Sequence, residues 1–421
     1  MSAQFAGVKS YPVSVSAQDV PSAWLSNSDP RVASCGKKIV QVSSSTGTQS
    51  SGGLISFILP ANMGSGMLVS GSAYIKFTVS VTQANAYSWA FKQYGSASSV
   101  VNRMTLLSSG AIAEQILNYN KLYSALLLHA SNPSFAQGDD KINQLSFNGA
   151  AVAVQTATVC IPILLGSFNS KQHLPLFLMN SAQLNVDLDT VINSITQIGA
   201  DALTEYSVNS ATLVFEQLNP DHAFEMGVKQ MLGSRLFQMP ISTFYNIRTA
   251  QTGAVTQNIG LNCSSLRSLL WATVPTETQR GAHHFTDANQ TSCRVYLDGQ
   301  LSFAGNLSDV SSQFLEMNRA LNTMWDSDRV SCGPTADTAE AVANDITLLA
   351  GGLTRAIYSD GAYLGGISTA KSSESGFSMS GVPVNSAVVE FVGAAGGTFY
   401  IFCAVQQVLT LDQQGTCSLI R

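Results

Sequence analysis

Charge is what this chain has least of. Of its 421 residues only 11% are Asp, Glu, Lys or Arg, against about 25% in an average soluble protein. Like-charge repulsion keeps free monomers apart in solution, so a surface this poor in charge suits a chain covered largely by copies of itself. Disorder is excluded as the meaning of the low charge, because 45% of residues are hydrophobic and their positions alternate. The net charge is −5, and residues 1–53 hold only four basic residues, Lys9, Arg31, Lys37 and Lys38. That excludes the basic patch or arm of a dedicated nucleic-acid binder, so no sequence-specific nucleic-acid binding is expected.

Long apolar runs are missing as well. The best, residues 391–405 (FVGAAGGTFYIFCAV), is too short for a bilayer and carries Ala-Ala-Gly-Gly at a turn-like position. It predicts a hairpin of two buried strands. No basic segment followed by an apolar one opens the chain, so no secretory signal is expected. Residues 1–44 are expected to form an extended arm that orders against neighbours. Cysteine never occurs as CxxC. The seven, Cys35, Cys160, Cys263, Cys293, Cys332, Cys403 and Cys417, are odd in number and scattered, which argues against a zinc finger or a disulfide framework and for buried thiols in a reducing compartment.

What is present is mostly strand. GSAYIKFTVSV (71–81) sets Tyr74, Lys76, Thr78 and Ser80 against Ile75, Phe77, Val79 and Val81, one wet face and one buried. VCIPILL (159–165), QLNVDLDT (183–190) and ATLVFEQL (211–218) continue the first half, and FQMPISTF, LRSLLWATV, CRVYLDG and NSAVVEFVG repeat the style in the second. Two segments are helical. One carries the stripe Ile116, Tyr119, Tyr123, Leu126 and Leu127; the other carries Val310, Phe314, Met317, Leu321 and Met324 behind Ser308 and Asp309 as caps. A weaker helix at 221–236 is assigned to a linker.

Three echoes divide the chain. ILNYNKLYSAL (116–126) resembles FLEMNRALNTM (314–324), with Leu117, Asn120 and Lys121 set against Leu315, Asn318 and Arg319. Each copy follows a strand that ends at a glycine, Gly110 or Gly299. An identical Asn-Ser-Ala opens strands at 180 and 385, and proline-ended runs close at Pro60 and Pro240. The order and the near-half-chain offsets predict two similar β-rich units in tandem: an all-β fold of two antiparallel sandwiches, each with one inserted helix, which the resemblance given below makes jelly rolls. The expected limits are 1–44 for the arm, 45–219 for the first sandwich, 220–236 for the linker and 237–421 for the second.

Candidate chemistry is sparse. His129, His173, His222, His283 and His284 show no metal-ligand spacing. Asp187 and Asp189 share a strand face about 7 Å apart by the strand repeat. Such a pair could supply part of a calcium shell, completed by another subunit, or act as general acid and base. With no third ligand nearby, a solvated strand face is expected, and no catalytic, cofactor-binding or metal-ligating residue is assigned. The sequons at Asn262, Asn289 and Asn306 are of the frequency expected by chance in a chain rich in Asn, Ser and Thr.

The sequence of strand–proline, long alternating strand, strand–Gly–helix, HLPLFLMNSAQLNVDLDT and ATLVFEQL resembles one unit of the double jelly-roll major capsid proteins of tailless icosahedral DNA viruses. The second half follows with LDG, the helix at 308–325, GVPVNSAVVEFVG and VLTLDQQG. The resemblance covers about residues 45–421. It implies a homotrimer whose six jelly rolls make a pseudo-hexagonal capsomer of a virion shell. It also implies neighbouring capsomers and penton or minor capsid proteins as partners, and in many such shells an internal membrane; it implies no enzyme activity and no cofactor. Two alternatives stand beside it: a single-jelly-roll coat protein with a protruding β-domain, and a cell-surface β-sandwich adhesin.

Overall fold

The computed structural model describes residues 35–82, 88–91, 96–130, 154–198, 205–233, 235–275, 285–302, 307, 309–321, 358–359, 361–370, 381–412 and 414–420. Residues 1–34 of the expected arm, His283, His284, Cys332, Asn306, Ser308 and Met324 lie outside the described residues. In the first half the chain runs through β1 (Gly36–Ser43), β2 (Gln49–Ser50), β3 (Leu54–Leu59), β4 (Met67–Leu68), β5 (Tyr74–Thr82), β6 (Ser88–Phe91), β7 (Val101–Ser108) and β8 (Ala111–Ile116). It continues through α1 (Tyr119–His129), β9 (Val154–Pro162), β10 (Ala182–Leu188), α2 (Val191–Ser194), β11 (Ile195–Ile198) and β12 (Tyr206–Asn219). Helix α3 (His222–Leu232) leads to β13 (Phe237–Ile259), β14 (Cys263–Pro275), β15 (Ser292–Leu297), β16 (Gln300–Leu301) and α4 (Val310–Leu321). The chain ends with β17 (Gly365–Ser368), β18 (Val382–Val384), β19 (Ala387–Leu411) and β20 (Cys417–Ile420).

The first half is a sandwich of two antiparallel sheets, ordered β1-β12-β5-β9 and β3-β10-β7-β8. The alternation read from 71–81 holds: Ile75, Phe77, Val79 and Val81 are buried. With Val208, Leu213 and Phe215 of β12 they form one sheet's contribution to the core, and Ile55, Phe57, Met104, Leu106, Leu184 and Val186 form the other. Burying such side chains is the dominant favourable term, roughly 1.5–3 kcal/mol each.

The second half has the same strand order with two pairs of strands fused. The arm of β13 from Phe237 pairs with the end of β19 at Leu411, and β14 and β17 extend that layer. The later arm, Ala254 to Ile259, pairs with Val392 to Ala387, and β15 and β16 extend the other layer. One eight-stranded sheet therefore folds over on itself. The corner falls at the bulge between Thr252 and Ala254, where Gly253 takes φ 102°, a conformation open to glycine and little else. The expected hairpin at 391–405 is thus a corner within one continuous strand. Glycines mark corners and turns alike, and only the pairing partner distinguishes them.

The resemblance between the halves is closest at a hairpin. Gly110 and Gly299 do not end strands before a helix. Each is the second residue of a two-residue turn, with φ 49° and 80° at Ser109–Gly110 and 49° and 79° at Asp298–Gly299. Positive φ at both positions gives the twist that suits a tight hairpin. Ala182 pairs with Ser108 and Ala387 with Leu297. Ser109 N donates to Ser181 O at 2.9 Å, and Asp298 N to Ser386 O at 2.8 Å. The two Asn-Ser-Ala segments hold the same hairpin in each half.

Two of the other echoes are displaced. Asn120 lies in the first turn of α1, whereas Asn318 lies near the end of α4, so 116–126 and 314–324 are not equivalent residue by residue. Ile116 belongs to β8, and the first helix begins at Tyr119. Pro60 follows β3, whereas Pro240 sits in the β13 arm that takes the place of β1.

The expected arm also ends earlier. Gly36–Ser43 pairs along its whole length with β12, from Gly36↔Asn219 to Ser43↔Thr212. As an outer strand it is mostly exposed; only Val40 and Val42 pack against the core, too short an alternation to read as a half-buried strand. The segment 220–236 holds a capped and anchored helix. Asp221 accepts from Phe224 N at 2.7 Å. Buried Glu225 accepts from Gly64 N and Gly66 N at 2.5 and 3.0 Å, and Val228 and Leu232 face the core.

Candidate functional site

The two aspartates do not form a pair. A register shift between Asp187 and Leu188 interrupts the ladder, and the chain turns Asp189 inward to 6% exposure. Its Oδ1 accepts from Thr190 N at 2.7 Å and from Asn193 at 2.9 Å, and its Oδ2 accepts from Asn120 at 2.7 Å. Asp189 therefore fastens α1 to the end of β10. Asp187 stays at the surface and pairs with Arg103 Nε at 2.7 Å. The expectation of one solvated carboxylate face is corrected: each carboxylate is engaged by the protein's own donors, in different surroundings.

Two of the histidines are likewise held by the fold. His173 Nδ1 accepts from Ser70 N at 3.2 Å. His129 is buried at the end of α1, in contact with Ala362 O at 2.7 Å through Nε2, and burial lowers its pKa to about 4. His222 opens α3 and is exposed. Among the described residues no group of three or more His, Cys, Asp or Glu could hold a metal ion. Among the described residues no cysteine forms a disulfide: Cys263, Cys293, Cys403 and Cys417 are buried, and Cys35 and Cys160 are more accessible.

What the geometry does assemble is a seam between the halves. Glu114 on β8 is completely buried and accepts from Gly166 N at 2.7 Å and Ser167 N at 2.9 Å. Burial raises its pKa, opposed by these hydrogen bonds. Gly166 lies against the β13 backbone: a Cβ there would stand 2.2 Å from Ser242 O. Ser170 Oγ donates to Pro240 O at 2.9 Å, Ser108 Oγ to Gly415 O at 3.1 Å, and Asn246 Nδ2 to Leu117 O. Cys417, beside Glu114, has its thiol pushed up to about 12, chiefly by burial. Sequence reasoning missed Glu114. Its only signal is an acid in the apolar strand AIAEQI, where a carboxylate must find donors to be buried.

The seam leaves the two inserted helices in different positions. All of α1 except Leu126 is buried. In α4 only Gln313 and Met317 are buried, and Leu315 is 49% exposed. Large apolar side chains also face outward on strands, chiefly Ile39 of β1 (69% exposed), Ile58 of β3 (63%) and Ile112 of β8 (59%). No helix among the described residues is long and apolar enough to cross a membrane.

No family model and no curated relative matches the chain. Solved structures do match. The capsid of PBCV-1 virus is similar with a TM-score of 0.60 and 14% identity, over 92% of this chain and 97% of that one. The Faustovirus major capsid protein gives 0.60 and 8%, over 90% and 91%. The mavirus major capsid protein gives 0.55 and 11%, over 91% and 90%. At these identities the likeness is one of fold, and it extends over nine-tenths of every chain compared. The chain folds as a double jelly roll, the architecture it shares with these structures.

Proposed function

We propose that this chain is a major capsid protein, a structural component of an icosahedral virion shell that acts by self-assembly and not by catalysis. The observation that carries the reading is the pair of jelly rolls joined by a buried seam, similar in fold to viral capsid proteins over nearly its whole length. The low charge and the exposed Ile39, Ile58 and Ile112 support a surface that other copies cover. The proposed building block is a homotrimer in which six jelly rolls form a pseudo-hexagonal capsomer. Its two units are residues 45–219, extended at the front by β1, and 237–421, with α3 between them. Neighbouring capsomers and penton or minor capsid proteins are the proposed partners, with assembly inside the host cell and, in a membrane-containing virion, lipid beneath the shell. Size-exclusion chromatography with light scattering tests the reading. A particle of three times 44.5 kDa is expected, and a chain that stays monomeric at every concentration overturns it.

A further inference from the structure

The helix between the rolls is gripped on one side only. Glu225, Val228 and Leu232 of α3 are buried. By the 3.6-residue period the other side carries Ala223, Met226, Gln230 and Met231, and all four are exposed. Met226 is 40% exposed, Met231 48%, and Leu236, just past the helix, 45%. This short segment thus holds three large apolar side chains in the open.

Its charges are sorted as well. The two acids are occupied: Glu225 is turned inward onto Gly64 N and Gly66 N, and Asp221 accepts from Phe224 N at the helix start. The two fixed cations, Lys229 and Arg235, have no carboxylate partner among the described residues. In a chain of net charge −5, the outward side of α3 therefore offers apolar side chains and positive charge together. Basic and apolar residues sharing one exposed helix face are the pattern of helices that lie in a membrane interface. Shape favours the same partner. A helix is a convex ridge, and flexible methionines on a ridge suit a soft surface that closes around them.

We propose that the outward side of α3 binds an anionic phospholipid surface. Met226, Met231 and Leu236 enter the headgroup boundary, and Lys229 and Arg235 meet the lipid's anionic groups. This deepens the shell reading by naming the surface that meets lipid, and its place in a virion rests on that reading.

The test floats the full-length protein with vesicles of phosphatidylcholine alone, and of phosphatidylcholine and phosphatidylserine in equal parts. Light scattering on the same sample gives the oligomeric state. The parent is expected to float with the anionic vesicles, and less so as salt is raised. K229E/R235E should weaken that binding by about tenfold or more, since each cation near an anionic surface contributes about fivefold. M226Q/M231Q should weaken it too, with the melting temperature of both variants unchanged. Ile192 is equally exposed, at 45%, but follows β10 at the opposite end of the roll, so I192Q should bind like the parent. A parent that trimerises but floats with neither vesicle overturns this inference and leaves the capsomer reading standing. Binding that survives both double variants, or that falls equally in I192Q, also overturns it. Variants that lose trimer formation while the parent ignores lipid assign the face to a second copy instead. A monomeric parent that binds anionic vesicles through α3 supports this inference and removes the capsomer reading.

Discussion

Asp189 holds three donors in a place where water cannot replace it, and Asp187 holds one that water can. Asp189→Ala takes an acceptor from the buried Asn120 amide and loosens the half-buried Asn193 and the exposed Thr190 N–H, so a loss of about 1–3 kcal/mol is expected in urea unfolding. Asp187→Ala breaks a pair whose Arg103 is 44% exposed and should cost under about 1 kcal/mol. Equal losses would show that the two sites are not distinguished as the hydrogen bonds require. The buried titratable groups of the seam act in opposite directions with pH. The folded pKa of His129 is lowered from 6.5 to about 4, so its stabilising contribution is present above pH 6.5 and is lost as pH falls toward 4. That amounts to about 3 kcal/mol by linkage, and His129→Gln should flatten this acid limb. The Glu114 pKa is raised from 4.5, so its contribution is full below pH 4.5 and is lost as pH rises through the raised value. Glu114→Gln should remove that second slope. Urea midpoints measured across the pH range check both signs. An acid limb unchanged in His129→Gln would place the titration elsewhere.

At the scale of elements, β1 decides where the N-terminal segment stops being dispensable. Removing residues 1–34 leaves every described strand in place and should leave the melting temperature within about 2 °C. Removing residues 1–43 uncovers the edge of β12 and should lower it by several degrees, since a domain of this size shifts about 2–4 °C per kcal/mol. Equal melting temperatures would mean that β1 adds nothing to the sandwich. The reason β1 escaped the sequence reading is general. β5 is legible because one of its faces is wet and the other buried over its whole length, whereas β1 alternates over only two half-buried positions, Val40 and Val42, and its exposed Ile39 hides that period. The glycines within 391–405 predict a turn and form part of a corner opposite Gly253, because the same residue type serves both. Ile116 fits a helical stripe and a buried strand end equally well. Asp189 was placed on the face of Asp187 because alternation assumes an unbroken ladder, and the bulge beside Leu188 breaks it. The Asn-Ser-Ala echo, by contrast, was legible because each copy fixes the same hairpin through a backbone hydrogen bond. The candidate site fared worse: a seam is built from contacts far apart in sequence, such as Glu114 with Gly166 and Ser242 with Gly166, and no local period reports them.

For the whole molecule, the spacing of the two rolls is set where backbones touch. Gly166→Ala would put a methyl group 2.2 Å from Ser242 O, so the rolls must shift apart at a cost of about 1–3 kcal/mol. If the capsomer repeats this spacing between chains, the shift should also slow trimer formation, which light scattering against time would record. Normal assembly by a destabilised variant would separate seam geometry from assembly. The two rolls differ in one further respect. In the second, β13 and β19 pass through both layers, whereas in the first separate strands serve the two layers, β1 and β3 on one side and β12 and β10 on the other. Opening a layer of the second roll means pulling on a strand that the other layer also grips, so its amides should exchange with deuterium in a single cooperative class. The first roll has no such shared strand, and its layers can release their protons at two separate rates. A shell built this way would have alternating stiff and yielding units around each capsomer, with the yielding ones giving first when the particle is strained from within.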